Sequence, residues 1–301
     1  MSLVKKLTLI VAVLLLPLPL FAWGEKGHYL TNEAATFGLP NDMPAFFYRA
    51  YPELVFLAYD PDRWRGAGVS LDAFNPPNHF LDYEFVAGLN LPPDRYKFID
   101  LLYTSRTLAR HGITNSESGF LPWTIAELTD QLTNEFRQWR FARDPERAYI
   151  EHDIIHIAAI LGHFAGDASN PDHTTINFNG WVEPNPDHYP TDCDTHFRFE
   201  TQFVSHVIDL SDVTPRLAPV EPRTDYFASA VDFVRGSNAL VREIYDIDRD
   251  GGFDIFRPLS PRAKAFAAGR LAAGASFTRD LWVSAWRNSA RAPRRRTAPA
   301  D

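Results

Sequence analysis

The sequence predicts an all-α protein that folds as a single compact multi-helix domain. Apolar residues recur at helical spacing, the alternation typical of β-strands is scarce, and the connections between periodic stretches are rich in proline. No Gly/Ser linker or block of charge divides the chain, so one domain is favoured. We expect helices at 26–37, 42–51, 95–111, 123–142, 146–169, 194–211, 225–247 and 259–288.

The N-terminal residues resemble an export signal. Two lysines precede an apolar stretch at 7–16, which is too short and too proline-broken to favour a permanent membrane anchor. We therefore expect a signal peptide at 1–22, cleavage after Ala22, and a mature protein that begins at Trp23 and is secreted or periplasmic. An uncleaved anchor and a mis-set start are the alternatives.

Composition is typical of an exported globule. Cys193 is the only cysteine, so no disulfide forms within the chain. The net charge of −8 excludes a broad basic surface for gripping duplex DNA, although bound cations could attract a few nucleotides or a lipid headgroup. The folded domain is expected at 23–290, followed by a flexible, arginine-containing tail at 291–301.

The clearest local signal runs from His163 to His173. His163 and Asp167 are four residues apart, so on a helix their side chains share a face and can converge on one metal ion. Pro171 ends that helix and turns His173 back toward the same pocket. Upstream on the helix, His152 and His156 are interpreted as core groups or as supports for the ligands.

Weaker signals of the same kind lie on both sides of this segment. His196 and Glu200 repeat the four-residue spacing, which by itself is common on helices. His79 adds an imidazole, and Asp60 and Asp62 add carboxylates whose alternative roles are a helix cap or a surface ion pair.

These motifs resemble those of the zinc-dependent superfamily that joins the S1/P1 nucleases to bacterial phospholipase C. The segment from Trp23 to His28 is similar to the family's Trp-Gly-x-x-Gly-His opening, and the segment from His163 to His173 is similar to its His-aromatic-x-Gly-Asp-x-x-x-Pro-x-His core. The resemblance implies a mainly α-helical domain with three zinc ions in a cleft. The implied ligand sets are Asp62, His79, His163 and Asp167 for one zinc, His173, His196 and Glu200 for another, and the amine and carbonyl of Trp23 with His28 and a shared Asp167 for the third.

The resemblance also suggests residues that act on a substrate. Asp62 is preferred to Asp60 as the ligand because Arg65 follows it by three residues. In the family, that position carries a basic residue that binds phosphate. Arg65 would stabilise charge on the phosphate oxygens, and Asp62 would assist as a general base. Phe80 and Asp82 would contact a nucleobase, with core packing of Phe80 and orientation of His79 by Asp82 as the alternatives.

We expect a zinc-dependent phosphodiesterase of the S1/P1 nuclease type, which cleaves single-stranded nucleic acid and 3′-nucleotides. The alternative is a phospholipase C-like enzyme that acts on phospholipid headgroups. Arg65 and the early His28 favour a nuclease, whereas Glu200 in place of the nucleases' aspartate favours a phospholipase. Asp172, where the family usually has leucine, departs from the pattern. An exported zinc-storage protein is a third hypothesis, which requires the ligands but neither Arg65 nor Phe80.

Overall fold

The computed structural model describes residues 23–291. The predicted signal peptide at 1–22 lies outside the described residues, as does the predicted tail apart from Arg291. Within the described residues no helix is long and apolar enough to span a lipid bilayer.

The part of the chain from residue 23 to residue 291 forms helices and no β-strand, which confirms the predicted all-α class. Isolated bridges pair Leu81 with Gly119 and Phe178 with Gly180. The α-helices are α1 (Gly24–Thr36), α2 (Ala45–Arg49), α3 (Tyr51–Leu57), α4 (Asp60–Arg63), α5 (Val69–Phe74), α6 (Tyr83–Val86), α7 (Arg95–Thr104), α8 (Thr107–His111), α9 (Leu121–Phe141), α10 (Glu146–Asp167), α11 (Val204–Val207), α12 (Leu210–Val213), α13 (Tyr226–Asn238), α14 (Val241–Arg249) and α15 (Pro261–Asn288).

Shorter helical turns complete the secondary structure. Between residues 23 and 291, four 3₁₀ turns and one π-helix connect α-helices, and two of them carry predicted site residues. They are the 3₁₀ turns Pro76–Asn78, Ser116–Ser118, Pro171–Thr174 and Thr214–Arg216 and the π-helix Phe197–Phe203.

Several predicted helices are divided in the structure. The helix expected at 95–111 breaks into α7 and α8 because Arg106 adopts a left-handed backbone conformation, with φ of 58°. The helix expected at 194–211 becomes the π-helix Phe197–Phe203 followed by α11 and α12. The spacing of apolar residues does not show where one residue adopts a non-helical backbone conformation. The predicted helices are therefore longer than the observed ones.

The longest helices, α9, α10 and α15, pack on one another and α1 packs on α10 and α15. Trp282 on α15 is fully buried, and its indole nitrogen donates a hydrogen bond to the carbonyl of Ala158 on α10 at 2.9 Å. On α1, the amide of Asn32 donates to the carbonyl of Ala159 at 3.1 Å. An added Cβ on Gly162 would lie 1.9 Å from the Asn32 side-chain oxygen. Only glycine therefore permits this approach of α1 to α10.

The two halves of α10 differ in burial. Every residue from 158 to 167 is buried, because α1 and α15 cover that half. His152 and His156, on the other half, are exposed. The expectation that they lie in the core or support ligands is therefore wrong. Helical spacing places them on the same side of α10 as His163. The helices that cover the other half of α10 do not extend over this half.

Candidate metal centre

The C-terminal end of α10 supplies the first two candidate ligand side chains. His163 and Asp167 lie one helical turn apart, with Nε2 and Oδ2 separated by 3.3 Å. The 3₁₀ turn Pro171–Thr174 follows, and it returns His173 to within 3.9 Å of Asp167. The predicted convergence of these three residues is therefore present in the structure.

Three of the histidines are held in the same way. The Nδ1 atoms of His79, His163 and His173 face backbone carbonyl oxygens at 3.0, 2.8 and 2.8 Å. Each carbonyl accepts the Nδ1 proton, which leaves the Nε2 lone pair of the neutral imidazole available to a metal. For His79 the acceptor is the carbonyl of Asn75, so orientation of this ring by Asp82 is not what the structure shows.

Candidate ligand atoms gather in three groups, within each of which they lie no more than 4.8 Å apart, and two of these groups share His163. Two groups match the implied zinc sets, with Asp62 missing from the first. The third joins His28 to Asp62 and His163, whereas the resemblance implied Asp167. His28 Nε2 in fact lies 3.5 Å from Asp167 and 3.7 Å from Asp62. The groups are His28, Asp62 and His163; His79, His163 and Asp167; and His173, His196 and Glu200.

The buried polar atoms of these residues fit a metal. A polar atom buried without a hydrogen-bond partner is costly and rare. Imidazole nitrogen and carboxylate oxygen are the donors that zinc takes in proteins, and no thiolate is required. The atoms without a hydrogen-bond partner include both ring nitrogens of His28, Nε2 of His79, His163, His173 and His196, both oxygens of Asp167, and one oxygen each of Asp62 and Glu200.

Burial shapes the proton affinity of these groups. Loss of solvation raises the pKa of Asp62 to about 6, of Asp167 to about 7 and of Glu200 to about 8. The same burial lowers the pKa of His163 to about 4 and of His196 to about 3. These two imidazoles are thus neutral across the neutral pH range, and a bound cation would favour the ionised forms of the carboxyl groups.

His196 and Glu200 reach the centre from an unexpected conformation. The sequence predicted an α-helix here, but Phe197–Phe203 is a π-helix. The two side chains nevertheless meet, with His196 Nε2 2.8 Å from Glu200 Oε2. Asn170 holds the carboxylate by donating to Oε2 at 2.9 Å. Single turns of π-helix are frequent at functional sites because they redirect side chains.

Trp23 is anchored beside the centre. Its side chain is fully buried, and the indole nitrogen donates to the carbonyl of Gly166 at 2.7 Å, next to the Asp167 position. An added Cβ on Gly27 would lie 2.9 Å from the Trp23 Cβ. The glycine of the opening motif thus permits the tryptophan to fold back onto α1.

A cavity of about 490 Å³ opens beside the ligands. Arg65 lines it, and the Arg65 Nε donates to Asp62 Oδ1 at 2.8 Å. Asp60 instead accepts a hydrogen bond from Arg63 at 2.6 Å and stays outside the ligand groups, so Asp62 is the carboxylate that reaches the centre. The other lining residues include His79, His173 and His196 with the apolar side chains of Phe80, Phe85, Ile113, Ile176 and Phe178.

Two acidic residues in this cavity differ from ordinary surface carboxyl groups. Asp82 lines the cavity beside Phe80, and burial raises its pKa to about 8. Asp172 was noted in the sequence only as a departure from the family motif. In the structure it is buried, lines the cavity, and has both carboxyl oxygens without hydrogen-bond partners.

The remaining apolar wall was not anticipated. Phe85, Ile113, Ile176 and Phe178 come from three separate segments of the chain, and none of them is part of a motif. Phe85, two residues after Tyr83 on α6, offered no signal beyond its proximity in sequence to His79. Only the tertiary arrangement identifies these residues.

Comparison with known proteins gave structural matches only. No protein-family model and no curated protein sequence matches the chain. Among solved structures, the chain is similar to the alpha-toxin of Clostridium perfringens from avian strain SWCP, with 12% sequence identity, a TM-score of 0.44, and coverage of 89% of this chain and 64% of the toxin chain. It is also similar to the alpha toxin of Clostridium absonum, with 12% identity, a TM-score of 0.45, and coverage of 89% and 65%. The chain spans somewhat less than two thirds of the length of these toxins.

Proposed function

We propose that this protein is an exported zinc-dependent hydrolase of phosphodiester bonds. The observation that carries the proposal is the set of buried imidazole and carboxylate atoms, without hydrogen-bond partners, that converge beside a cavity lined by Arg65. A zinc-storage protein would need the same ligands, but it would need neither an adjoining cavity nor a guanidinium group at its edge. The proposed complement is three zinc ions per chain.

The candidate ligands, the backbone carbonyls that orient them and the cavity walls contribute in different ways to the proposed reaction. Bound zinc would supply Lewis acidity and an activated water, which suit phosphate ester cleavage. The Asn75, Ala58 and His79 carbonyls fix the ring orientation of three histidines. The cavity walls exclude water from the reacting phosphate, and this strengthens the interaction of Arg65 with its oxygens. We assign Asp62 to hold Arg65 in place and to accept a proton.

The distribution of charge around the cavity favours a phospholipid headgroup as substrate. No lysine or arginine occurs at 66–94 or 171–197, the two segments that supply most of the cavity wall. A nucleic acid strand brings several phosphates, which proteins neutralise with such side chains, whereas a phospholipid brings one. Arg65 and the zinc ions suffice for a single phosphate. The acidic residues in these segments are Asp72, Asp82, Glu84, Asp94, Asp172, Glu183, Asp187, Asp192 and Asp194.

A nucleotide is the second candidate substrate, on one specific observation. Phe80 is only half-buried, lines the cavity, and lies two residues from Asp82. An aromatic face and a protonated or ionised carboxyl group at its edge suit a single nucleobase. The hypothesis of a nucleotide substrate is compatible with a short oligonucleotide or a 3′-nucleotide, because few phosphates then need neutralisation.

Product analysis with purified protein that begins at Trp23 tests these assignments. The protein, loaded with zinc, is offered a soluble short-chain phosphatidylcholine, denatured DNA, RNA and a 3′-nucleotide. Diacylglycerol supports the phospholipid proposal, and acid-soluble nucleotides or nucleoside support the nuclease. Tight retention of zinc without any product would contradict both and favour the storage protein.

The α-amine of Trp23 is proposed as a zinc ligand, which requires cleavage after Ala22. Adding one alanine before Trp23 converts the amine to an amide, which is a poor ligand. We expect the extended protein to bind about two zinc ions instead of three and to lose most of its activity. Replacing Glu25 by glutamine, in the exposed first turn of α1, serves as the control. Full zinc content in the extended protein would refute the amine ligand.

A further inference from the structure

The segment between Arg65 and Pro76 forms an exposed apolar excursion beside the candidate metal centre. We call residues 66–75 the mouth loop, because the residues that flank it, Arg65 and Pro76, both line the cavity. Its helix α5 has no buried residue. Val69 is 89% exposed and Phe74 is 65% exposed. Exposed apolar side chains grouped beside a cavity, unlike those scattered singly over a surface, indicate a contact with an apolar partner.

The mouth loop has little charge. Asp72 is its only charged residue, and the Asp72 carboxylate accepts a hydrogen bond from the backbone nitrogen of Gly66 at 2.7 Å. This bond closes the loop on itself and fixes α5 in position. The exposed face is therefore formed by small, polar uncharged and apolar residues on a locally ordered turn.

The exposed apolar surface continues into the cavity from another direction. Phe178, on the segment 171–197, lines the cavity and is 43% exposed. Its ring lies 6.4 Å from that of His196, so it stands close to the ligands. Apolar side chains thus occur both at the mouth loop and on the wall that carries His173 and His196.

We propose that the mouth loop docks the protein onto a zwitterionic phospholipid bilayer, so that the cavity faces the headgroups. The inference rests on the proposed phospholipid substrate. Val69 and Phe74 would enter the interfacial region of the bilayer, where burial of their side chains is favourable. The net charge of −8 and the lack of lysine and arginine at 66–94 oppose an anionic membrane or a nucleic acid strand as the partner.

The expected contact is shallow and reversible. The docking element is one short helix with two large exposed side chains, and no helix in the described part of the chain could span the bilayer. A contact of this size gives modest partitioning, which suits an enzyme that must leave one headgroup and reach the next. Substitution of both side chains should therefore have a measurable effect on vesicle binding.

The double variant V69S/F74S tests the proposal. Zinc-loaded wild type and variant are sedimented with phosphatidylcholine vesicles, and turnover is measured both on these vesicles and on soluble short-chain phosphatidylcholine. We expect about tenfold weaker vesicle binding and slower vesicle hydrolysis, because two apolar side chains no longer enter the interface. Turnover of the soluble lipid should stay within about twofold of wild type.

Two further variants sharpen the result. Phe141→Ser alters a residue that is 83% exposed at the end of α9, and α10 separates it from the centre by about 25 Å, so vesicle binding should not change. Val69→Trp should bind vesicles more tightly and shift its fluorescence to shorter wavelength when they are added.

Specific outcomes would overturn the inference. Equal vesicle binding by wild type and V69S/F74S, a stronger preference for anionic vesicles, or protection of the mouth loop by denatured DNA would each contradict it. Failure of the wild type to hydrolyse the soluble lipid would instead contradict the proposed function, because vesicle sedimentation is measured independently of turnover.

Discussion

Two neighbouring clusters of charged and polar groups share the segment from Thr195 to Glu200. In one cluster the charges are compensated by hydrogen bonds, and in the other they are not. On one side, Arg198 donates to both oxygens of Asp248 at 2.9 and 2.6 Å, and Thr195 donates to the same carboxylate at 2.9 Å. On the other side, His196 and Glu200 face the metal centre with ring nitrogens and a carboxyl oxygen that have no hydrogen-bond partner.

The difference distinguishes a structural ion pair from a binding site. The Arg198 cluster satisfies its own charges, so it requires nothing from outside and fastens the π-helix to α14. The candidate metal centre leaves its polar atoms without hydrogen-bond partners in a buried environment, which a bound cation would stabilise. Single substitutions in the Arg198 cluster should therefore have different effects from single substitutions in the candidate metal centre.

The largest effect is expected from Asp167→Asn. Asp167 Oδ1 lies 3.5 Å from His28 Nε2 and Oδ2 lies 3.3 Å from His163 Nε2, so one carboxylate is placed between residues of two of the zinc sets that the resemblance implies. We expect the loss of two zinc ions and a fall in kcat/KM of about a thousandfold or more. Metal analysis and steady-state kinetics measure this.

Asp172→Asn is the matched control for that variant. Asp172 is a buried, unpartnered carboxyl group near the centre, but it belongs to no ligand group. The control should retain the full complement of zinc. Loss of a single ion in Asp167→Asn would show that the carboxylate does not bridge two sites.

The next largest effect is expected from Arg65→Ala. Arg65 lines the cavity, and its guanidinium group is assigned to the phosphate oxygens, so kcat should fall about a hundredfold while zinc content stays constant. Arg63→Ala is the control, because Arg63 pairs with the exposed side of Asp60 at 2.6 Å and does not line the cavity. Unchanged kinetics in Arg65→Ala would remove its catalytic assignment.

A change in the structural cluster should affect stability rather than chemistry. Asp248→Asn removes the charge that pairs with Arg198, and we expect the free energy of unfolding to fall by about 2 kcal/mol, since the pair is only partly buried. Zinc stoichiometry should not change. Asp246→Asn, in a half-exposed pair with Arg249, serves as the control. A loss of zinc in Asp248→Asn would show that the two clusters depend on each other.

The smallest effect is expected from pH. Burial raises the pKa values of Asp62, Asp167 and Glu200 to about 6, 7 and 8, so these groups favour the metal-free fold while protonated and disfavour it once ionised. The Tm of the chelated protein should therefore fall by several degrees as the pH rises from about 6.5 to about 8. Because zinc binds the ionised forms, the Tm difference between zinc-loaded and chelated protein should grow over the same range.

Thermal unfolding at a series of pH values, with zinc or with a chelator, measures this. The lowered pKa values of His163 and His196 act in the opposite direction below about pH 6.5, because these rings are neutral in the fold and protonated in the unfolded chain, so the series begins there. A Tm difference that decreases with rising pH would contradict the assignment of these carboxyl groups as zinc ligands.

The sequence by itself determined the helical class and most of the candidate ligand residues. Helical periodicity is a local property, and the four-residue spacing of His163 and Asp167 fixes their shared face before any tertiary contact forms. Pro171 likewise determines the end of α10 and the return of His173, because proline cannot continue a helix.

Only the tertiary structure decided which acidic and apolar residues reach the centre. The sequence preferred Asp62 to Asp60 only through its spacing to Arg65 in the family resemblance, whereas the packing of α4 pairs Asp60 with Arg63 and buries Asp62 beside His28. The exposure of His152 and the apolar wall around Phe178 depend on where other helices end. Burial and the pairing of charge are properties of distant segments in contact, so a linear pattern could not specify them.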